Sequence, residues 1–296
     1  MVDIMHSVKV EVVRDLEAPG IDPRILGIFR EYLGYVGDGY CEFEEALLVC
    51  VISIPKVLGN GIPQVELFRV FIVVDPDVDK MYIYPEDGEA FLAGLGMERL
   101  ERAGDYREAL QELLNHLVGS YNAILTSIQD AIDKVEDMVE SGDLGYVVKA
   151  TYVLRRSLIN TRRGLKNLVQ MLREINSDQR KSSMVKSHHM LLELIDEALA
   201  GLEIVEIYRE TIISLREAHA SLLGLKLNDI VKRLTAITVV LMLPTLIASI
   251  YGMNFDTSYP LNMPELSWSF GYIYALLLMI SSSMAGYFLL KVKGWF

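Results

Sequence analysis

Cysteine is scarce: Cys41 and Cys50 are the only two in 296 residues, too few for a disulfide framework. Both lie near an apolar, strand-like run and nothing marks the segment as secreted, so they read as two buried free thiols. Basic residues are outnumbered, 28 Lys and Arg against 40 Asp and Glu, for a formal charge of −12. A surface of that sign does not displace counterions from nucleic acid, and no nucleic-acid partner is expected. The opening "MVDIMHSVKVEVVRD" has charges throughout and no apolar h-region, so no signal peptide is expected. P-loop, GxSxG, HExxH and paired-cysteine patterns are all missing. The chain is therefore not expected to be an enzyme, and neither catalytic residues nor an organic cofactor are expected.

What is present divides in two. Hydrophobic residues make up 51% of the chain and charged ones 23%, and the mean hydropathy is positive, which suggests a soluble part and a membrane part. Up to about residue 120 the pattern predicts a small α+β domain. "ALLVCVISI", "ELFRVFIVV" and "KMYIYP" read as strands, separated by Gly37-Asp38-Gly39, Asn60-Gly61 and Asp75-Pro76. Arg24 to Tyr32 and Glu98 to Leu117 read as helices.

Residues 121–182 read as a helical hairpin. Tyr121, Leu125, Ile128, Ile132, Val135 and Val139 form a stripe at helical spacing. Asp130, Asp133, Asp137 and Glu140 gather on another face. After Ser141-Gly142-Asp143, the helix Val147 to Ile175 presents Arg155, Arg156, Arg162, Arg163 and Lys166, so antiparallel pairing would set acid against base. A stalk helix then runs over residues 183–233. Leu191, Ile195, Ala198, Leu202, Val205, Tyr208, Ile212 and Leu215 step along it near the heptad interval. No proline interrupts before Pro244, and a helix continuous to Met253 would span on the order of 100 Å.

Residues 234–254 and 270–290 are charge-free runs of membrane-crossing length, joined by a short loop, 255–269, and followed by a basic tail, 291–296. Lys226, Lys232 and Arg233 precede the first span, and Lys291 and Lys293 follow the second. The positive-inside rule then puts both termini in the cytoplasm of a multi-pass cell-membrane protein. Along the first span Asn228, Val231, Leu234, Thr238, Met242, Thr245, Ser249 and Gly252 recur at steps of three or four. This stripe is either helix–helix glue or the lining of a pore, and a pore from two spans per chain demands an oligomer. Pro244 frees the carbonyl of Val240, which neighbouring threonines can satisfy.

These residues carry a resemblance. "LNDIVKRLT…LPTLIASIYGMNF…MPELSWSFGY…YFLLKVKGWF" resembles the C-terminal signature of the CorA family of divalent-cation channels, with its Gly-Met-Asn triplet and MPEL-type loop. The likeness extends upstream through "IYRETIISLREAHASL" and "YNAILTSIQDAIDKVEDMVE". It implies a homopentameric funnel: a cytoplasmic α+β domain, a long stalk helix and two C-terminal transmembrane helices. It implies passage of Mg²⁺, and often Co²⁺ or Ni²⁺, down an electrochemical gradient without ATP. Carried over by position, Gly252, Met253 and Asn254 would be the selectivity filter, and Asn228, Leu234, Met242 and Thr245 pore positions. Leu234 and Met242 would form the hydrophobic constriction, and Val231 stands where the family often has a larger Met. Met263, Pro264, Glu265 and Leu266 match the outer loop. Glu193 and Asp196 match a regulatory site where Mg²⁺ holds the closed state. Two departures bear on ion preference: "FDTSYPLN" lengthens the path from triplet to loop, and Pro244 directly precedes Thr245.

A neutral mouth suits Mg²⁺, which sheds water slowly. Gly252 and Asn254 can touch the water shell without binding the ion too tightly to release it, although both are also ordinary helix C-cap residues. Lys226, Lys232, Arg233, Lys291 and Lys293 form a basic belt that is either an electrostatic barrier or plain membrane anchoring. The acidic residues at Asp130, Asp133, Asp137 and Glu140 are a solvated face or a Mg²⁺ sink. His188 and His189 point about 100° apart and suit no shared metal. Two other readings stand beside the channel: a Zn²⁺ transporter of the same superfamily, and a membrane-anchored coiled-coil sensor or scaffold.

Overall fold

The apolar runs around Val49 and Val73 are too continuous for a strand with one wet face, and the fold covers both of their faces. The computed structural model describes residues 9–13, 16, 21–34, 37, 39–59, 61–86, 100, 102–141, 144–256, 258–259 and 261–295. Among these, β1 (Lys9–Val12), β2 (Tyr40–Glu44), β3 (Leu47–Leu58), β4 (Gln64–Asp75) and β5 (Lys80–Pro85) form one sheet in the order β1-β5-β4-β3-β2. β2 to β5 pair antiparallel in sequence order, and β1 lies parallel to β5. Helix α1 (Pro23–Leu33) starts with Asp22 accepting the Arg24 N–H at 2.9 Å and proline at its first position. Its Ile25, Ile28 and Phe29 share a core with Val49, Val51, Phe71 and Val73 on one sheet face. Leu48, Ile52, Ile72 and Ile83 on the opposite face join a second core with α2 (Tyr106–Ser141) and α3 (Leu144–Ser177).

Side chains of the two long helices fasten them to strand backbone. Ser157 Oγ donates to the Pro63 carbonyl at 2.7 Å and accepts the Val65 N–H at 3.1 Å, and Asn160 Nδ2 donates to the Val65 carbonyl at 2.8 Å. The Tyr121 hydroxyl donates to the Ser53 carbonyl at 2.8 Å.

Four expectations change. Cys41 and Cys50 are buried as anticipated but are not free thiols. The β2–β3 register sets them directly opposite, 4.1 Å apart at Cα, and they form a disulfide. The helices read near Leu117 and Tyr121 are one helix: an interior Gly119 costs about 1 kcal/mol, which burial of Leu117, Val118 and Tyr121 outweighs. Glu98 and Arg99, like Asp38, Asn60, Gly142 and Asp143, lie outside the described residues. Third, Asp130, Asp133 and Asp137 of α2 do not pair with the basic face of α3. Asp130, Asp133 and Asp137 are exposed and make no ion pair among the described residues, while Arg162 pairs with Glu206 at 2.7 Å.

Asp178 caps a short helix, α4 (Gln179–Ser182), so the long helix begins at His188 instead of Ser183. This helix, α5 (His188–Tyr251), runs 64 residues with Pro244 inside it. Its Leu191, Ile195, Ala198, Val205, Ile212 and Leu215 are buried in the second core. The chain divides into two compact units, Met1–Glu217 and Ala218–Phe296. The second holds the rest of α5, a 3₁₀ turn (Pro264–Ser267) and α6 (Gly271–Val292). Both α5 and α6 contain stretches long and apolar enough to cross a membrane.

Candidate functional site

In the membrane-length part of α5, Ala236, Val240, Leu243, Pro244, Ile247 and Tyr251 are buried or half-buried, and the intervening residues are exposed. These six mark the side that meets α6. A Cβ on Gly286 of α6 would lie 2.8 Å from Leu243 Cδ1, so glycine permits the close approach. Ser283 Oγ donates to the Val240 carbonyl at 3.4 Å. That carbonyl is the one Pro244 deprives of its helical partner. The donor is thus a serine of the second helix. Thr238 and Thr245 bond back to Leu234 and Leu241 at 2.9 and 2.8 Å.

At about 100° per residue, the stripe of Asn228, Val231, Leu234, Thr238, Met242, Thr245, Ser249 and Gly252 falls on the opposite side of α5. All eight residues are exposed. The polar stripe is therefore not glue between the two helices of one chain.

The triplet ends the helix. Gly252 N–H bonds to the Ala248 and Ser249 carbonyls at 3.0 and 3.2 Å, and Met253 N–H to Ile250 at 3.1 Å. Neither Gly252 nor Asn254 has positive φ, so neither serves as a left-handed C-cap. A Cβ on Gly252 would meet only ordinary contacts at 3.4 and 3.5 Å. Asn254 is exposed and its side chain makes no hydrogen bond among the described residues. Backbone conformation and packing within one chain thus leave these two residue types unexplained. Gly294 differs: at φ 70° it closes α6, with Trp295 N–H bonding back to Leu290 at 3.0 Å.

Beyond the triplet, Asp256 accepts from the Ser258 N–H at 3.0 Å and hydroxyl at 2.5 Å, and these bonds hold its carboxyl below the usual carboxylate range. Asn262 Nδ2 donates to the Asp256 carbonyl at 2.8 Å. Asp256 is thereby tied to Ser258 and Asn262, and Met263, in the left-handed region at φ 46°, turns the chain into the 3₁₀ segment of Pro264, Glu265 and Leu266. The Tyr251 hydroxyl donates to Glu265 Oε1 at 2.9 Å. Sequence reading singled out neither Tyr251 nor Ser283, although Pro244 signalled that a donor was needed.

At the other end of the stripe, Asn228, Val231, Lys232 and Trp295 line a cavity of about 350 Å³. Lys226, Lys232, Arg233, Lys291 and Lys293 are all exposed; Arg233 pairs with Asp229 at 2.9 Å, and Lys291 Nζ lies 5.8 Å from the Tyr287 ring centre. Glu193 and Asp196 are exposed on the N-terminal part of α5, with Glu193 3.4 Å from His189 Nδ1. Among the described residues no three His, Cys, Asp or Glu side chains converge as a metal-holding group.

An α+β domain and a long helix whose apolar end lies beside a second apolar helix, both long enough to cross a membrane, define the architecture. The chain belongs to the CorA family: the model for "CorA-like Mg2+ transporter protein" matches residues 95–292. It is 32% identical over 202 residues, 68% of its length, to the cobalt/magnesium transport protein CorA of Thermotoga maritima. It is 31% identical over 217 residues to the magnesium transport protein CorA of Yersinia pseudotuberculosis. The matched stretches span 55% and 60% of those two proteins. The fold matches the complete CorA magnesium transporter of Methanocaldococcus jannaschii with a TM-score of 0.69, covering 93% of this chain and 89% of that one at 21% identity. It also matches the ZntB cytoplasmic domain of Vibrio parahaemolyticus, at 0.54 over 72% of this chain and 89% of that one with 11% identity.

Proposed function

We propose that five copies of this chain surround a pore lined by the polar stripe of α5 and pass Mg²⁺, with Co²⁺ or Ni²⁺ as further cargo, down its electrochemical gradient. The observation that carries the reading is the direction of the stripe. Its hydroxyls and small residues turn away from α6 of the same chain and need other copies to cover them. The T. maritima and Y. pseudotuberculosis relatives are named for magnesium transport.

In this arrangement the Gly252 carbonyl and Asn254 amide form a ring that touches the ion's water shell and leaves its inner shell intact. Leu234 and Met242 form the narrow apolar section, which closes by dewetting. The inside-negative potential drives entry with about 2.3 kcal/mol per charge per 100 mV. Residues 1–233 and 291–296 lie in the cytoplasm and 255–269 outside. The basic belt at the inner mouth repels cations until the copies splay. Glu193 and Asp196 take cytoplasmic Mg²⁺ together with a carboxylate from a neighbouring copy, and the bound ion holds the closed state.

Mg²⁺ uptake into proteoliposomes tests the proposal, with wild type beside Asn254→Ala and with Co²⁺, Ni²⁺ and Zn²⁺ arms. The expected result is Mg²⁺ flux that Asn254→Ala abolishes or reduces about tenfold. Equal flux from both removes Asn254 from selectivity, Zn²⁺ flux above Mg²⁺ favours a zinc transporter, and no flux of any cation refutes transport. Neutralising Glu193 and Asp196 together should relieve inhibition by internal Mg²⁺; unchanged inhibition removes that site.

A further inference from the structure

The exposed basic face of α3 borders a concavity. Within the first unit, α3 and α5 wall a cavity of about 620 Å³ whose lining includes Arg155, Arg162, Arg163, Lys166, Arg209 and Arg216. Six cations therefore converge on one concavity in a chain with a formal charge of −12. Glu206 answers two of them, Arg162 at 2.7 Å and Arg209 at 3.0 Å. Arg155, Lys166 and Arg216 make no ion pair among the described residues. Like charges that line one concavity repel one another unless an anion joins them.

The rest of the cavity has a different character. Ile159 and Ile213 line it and are exposed, beside the buried Leu158, Val205 and Ile212, so the cavity offers aliphatic surface among its cations. A site for a bare inorganic anion needs no such surface. A volume of about 620 Å³ falls within the range of small-molecule pockets, roughly 300–1,000 Å³. Five of the six cations are arginine, whose planar fork meets phosphate oxygens two at a time.

We propose that this cavity binds a nucleotide-like polyanion, its phosphates on the arginines and its apolar body against Ile159 and Ile213. The site lies wholly within the first unit and does not depend on which ion, if any, the second unit conducts.

The full-length chain in detergent, titrated by calorimetry with ATP, inorganic tripolyphosphate and a short-chain phosphatidic acid, tests this. The expected order is ATP first, with tripolyphosphate about tenfold weaker because it leaves Ile159 and Ile213 uncovered. ATP affinity should fall about tenfold or more in the R155Q/R216Q variant and decline with added salt. Thermal unfolding of that variant checks that it folds, and Lys166→Gln gives a second, milder loss if it does not. Four results would overturn the proposal: no saturable ATP binding below about millimolar, affinity unchanged in both variants, tripolyphosphate binding as tightly as ATP, or phosphatidic acid binding more tightly. The last would assign the cavity to a lipid headgroup.

Discussion

The Tyr251 hydroxyl and the Glu265 carboxylate are joined by a 2.9 Å hydrogen bond across 14 residues. Tyr251 directly precedes the Gly-Met-Asn triplet, and Glu265 belongs to the 3₁₀ turn between α5 and α6. The bond therefore fixes where the loop stands relative to the helix end. Tyr251→Phe removes only the hydroxyl and should cost about 1 kcal/mol of local stability. Under the channel reading, Mg²⁺ flux should drop several-fold while assembly on gel filtration is unchanged. Wild-type flux from the variant would show that loop position is set elsewhere.

Gly252 and Gly271 should respond oppositely to a methyl group. At Gly252 the added Cβ meets nothing nearer than 3.4 Å, so Gly252→Ala should fold and melt like wild type yet, under the channel reading, lose conduction. At Gly271 the Cβ would collide with the Glu265 carbonyl oxygen, a backbone atom. Gly271→Ala should lower thermal stability, with a penalty of about 1–3 kcal/mol. Thermal unfolding beside liposome flux separates the two effects.

A third glycine tests the soluble core. A Cβ on Gly164 would overlap the Tyr121 hydroxyl, which is engaged with Ser53. Gly164→Ala should destabilise by about 1–3 kcal/mol. Tyr121→Phe relieves the clash but leaves the Ser53 carbonyl without this donor, at about 1–3 kcal/mol. The double variant should therefore cost less than the sum of the two singles, which denaturant titration can measure.

Lys186 Nζ donates to Glu108 at 2.8 Å, and Gly104 N–H donates to the other carboxylate oxygen at 2.8 Å. The lysine bond first, then the backbone bond, lowers the Glu108 pKa, and the same pairing raises that of Lys186. A lowered carboxylate pKa gives stability that is full above the unfolded value, about 4.3, and is lost as pH falls through the folded one. Lys186→Gln should therefore melt below wild type at neutral pH. The two proteins should converge in strong acid, where Glu108 is protonated in both. A gap that persists there would trace the effect to packing.

Much of the site is legible in the residue pattern. The long α5 follows from eight positions at helical spacing from Leu191 to Leu215, and the stripe from Asn228 to Gly252 follows from spacing alone. Partners distant in sequence are not legible. Periodicity says that Cys41 and Cys50 are buried; only strand register says they are opposite each other. Charge patterning suggests that α2 and α3 pair acid to base, but Arg162 turns to Glu206 because α5 packs beside α3. Helix ends also slip: residues 183–187 read as helix, yet Asp178 caps a separate turn just ahead of them.

The bond between Ser283 and the Val240 carbonyl, 43 residues apart, has a consequence for how the protein is made. While the first span is synthesised, its proline leaves an oxygen unanswered, and the answering hydroxyl does not yet exist. An unmet carbonyl in hydrocarbon is costly. Inserted together, the two spans let Ser283 meet that oxygen, whereas a chain cut short before Ser283 would leave the Val240 carbonyl without this donor.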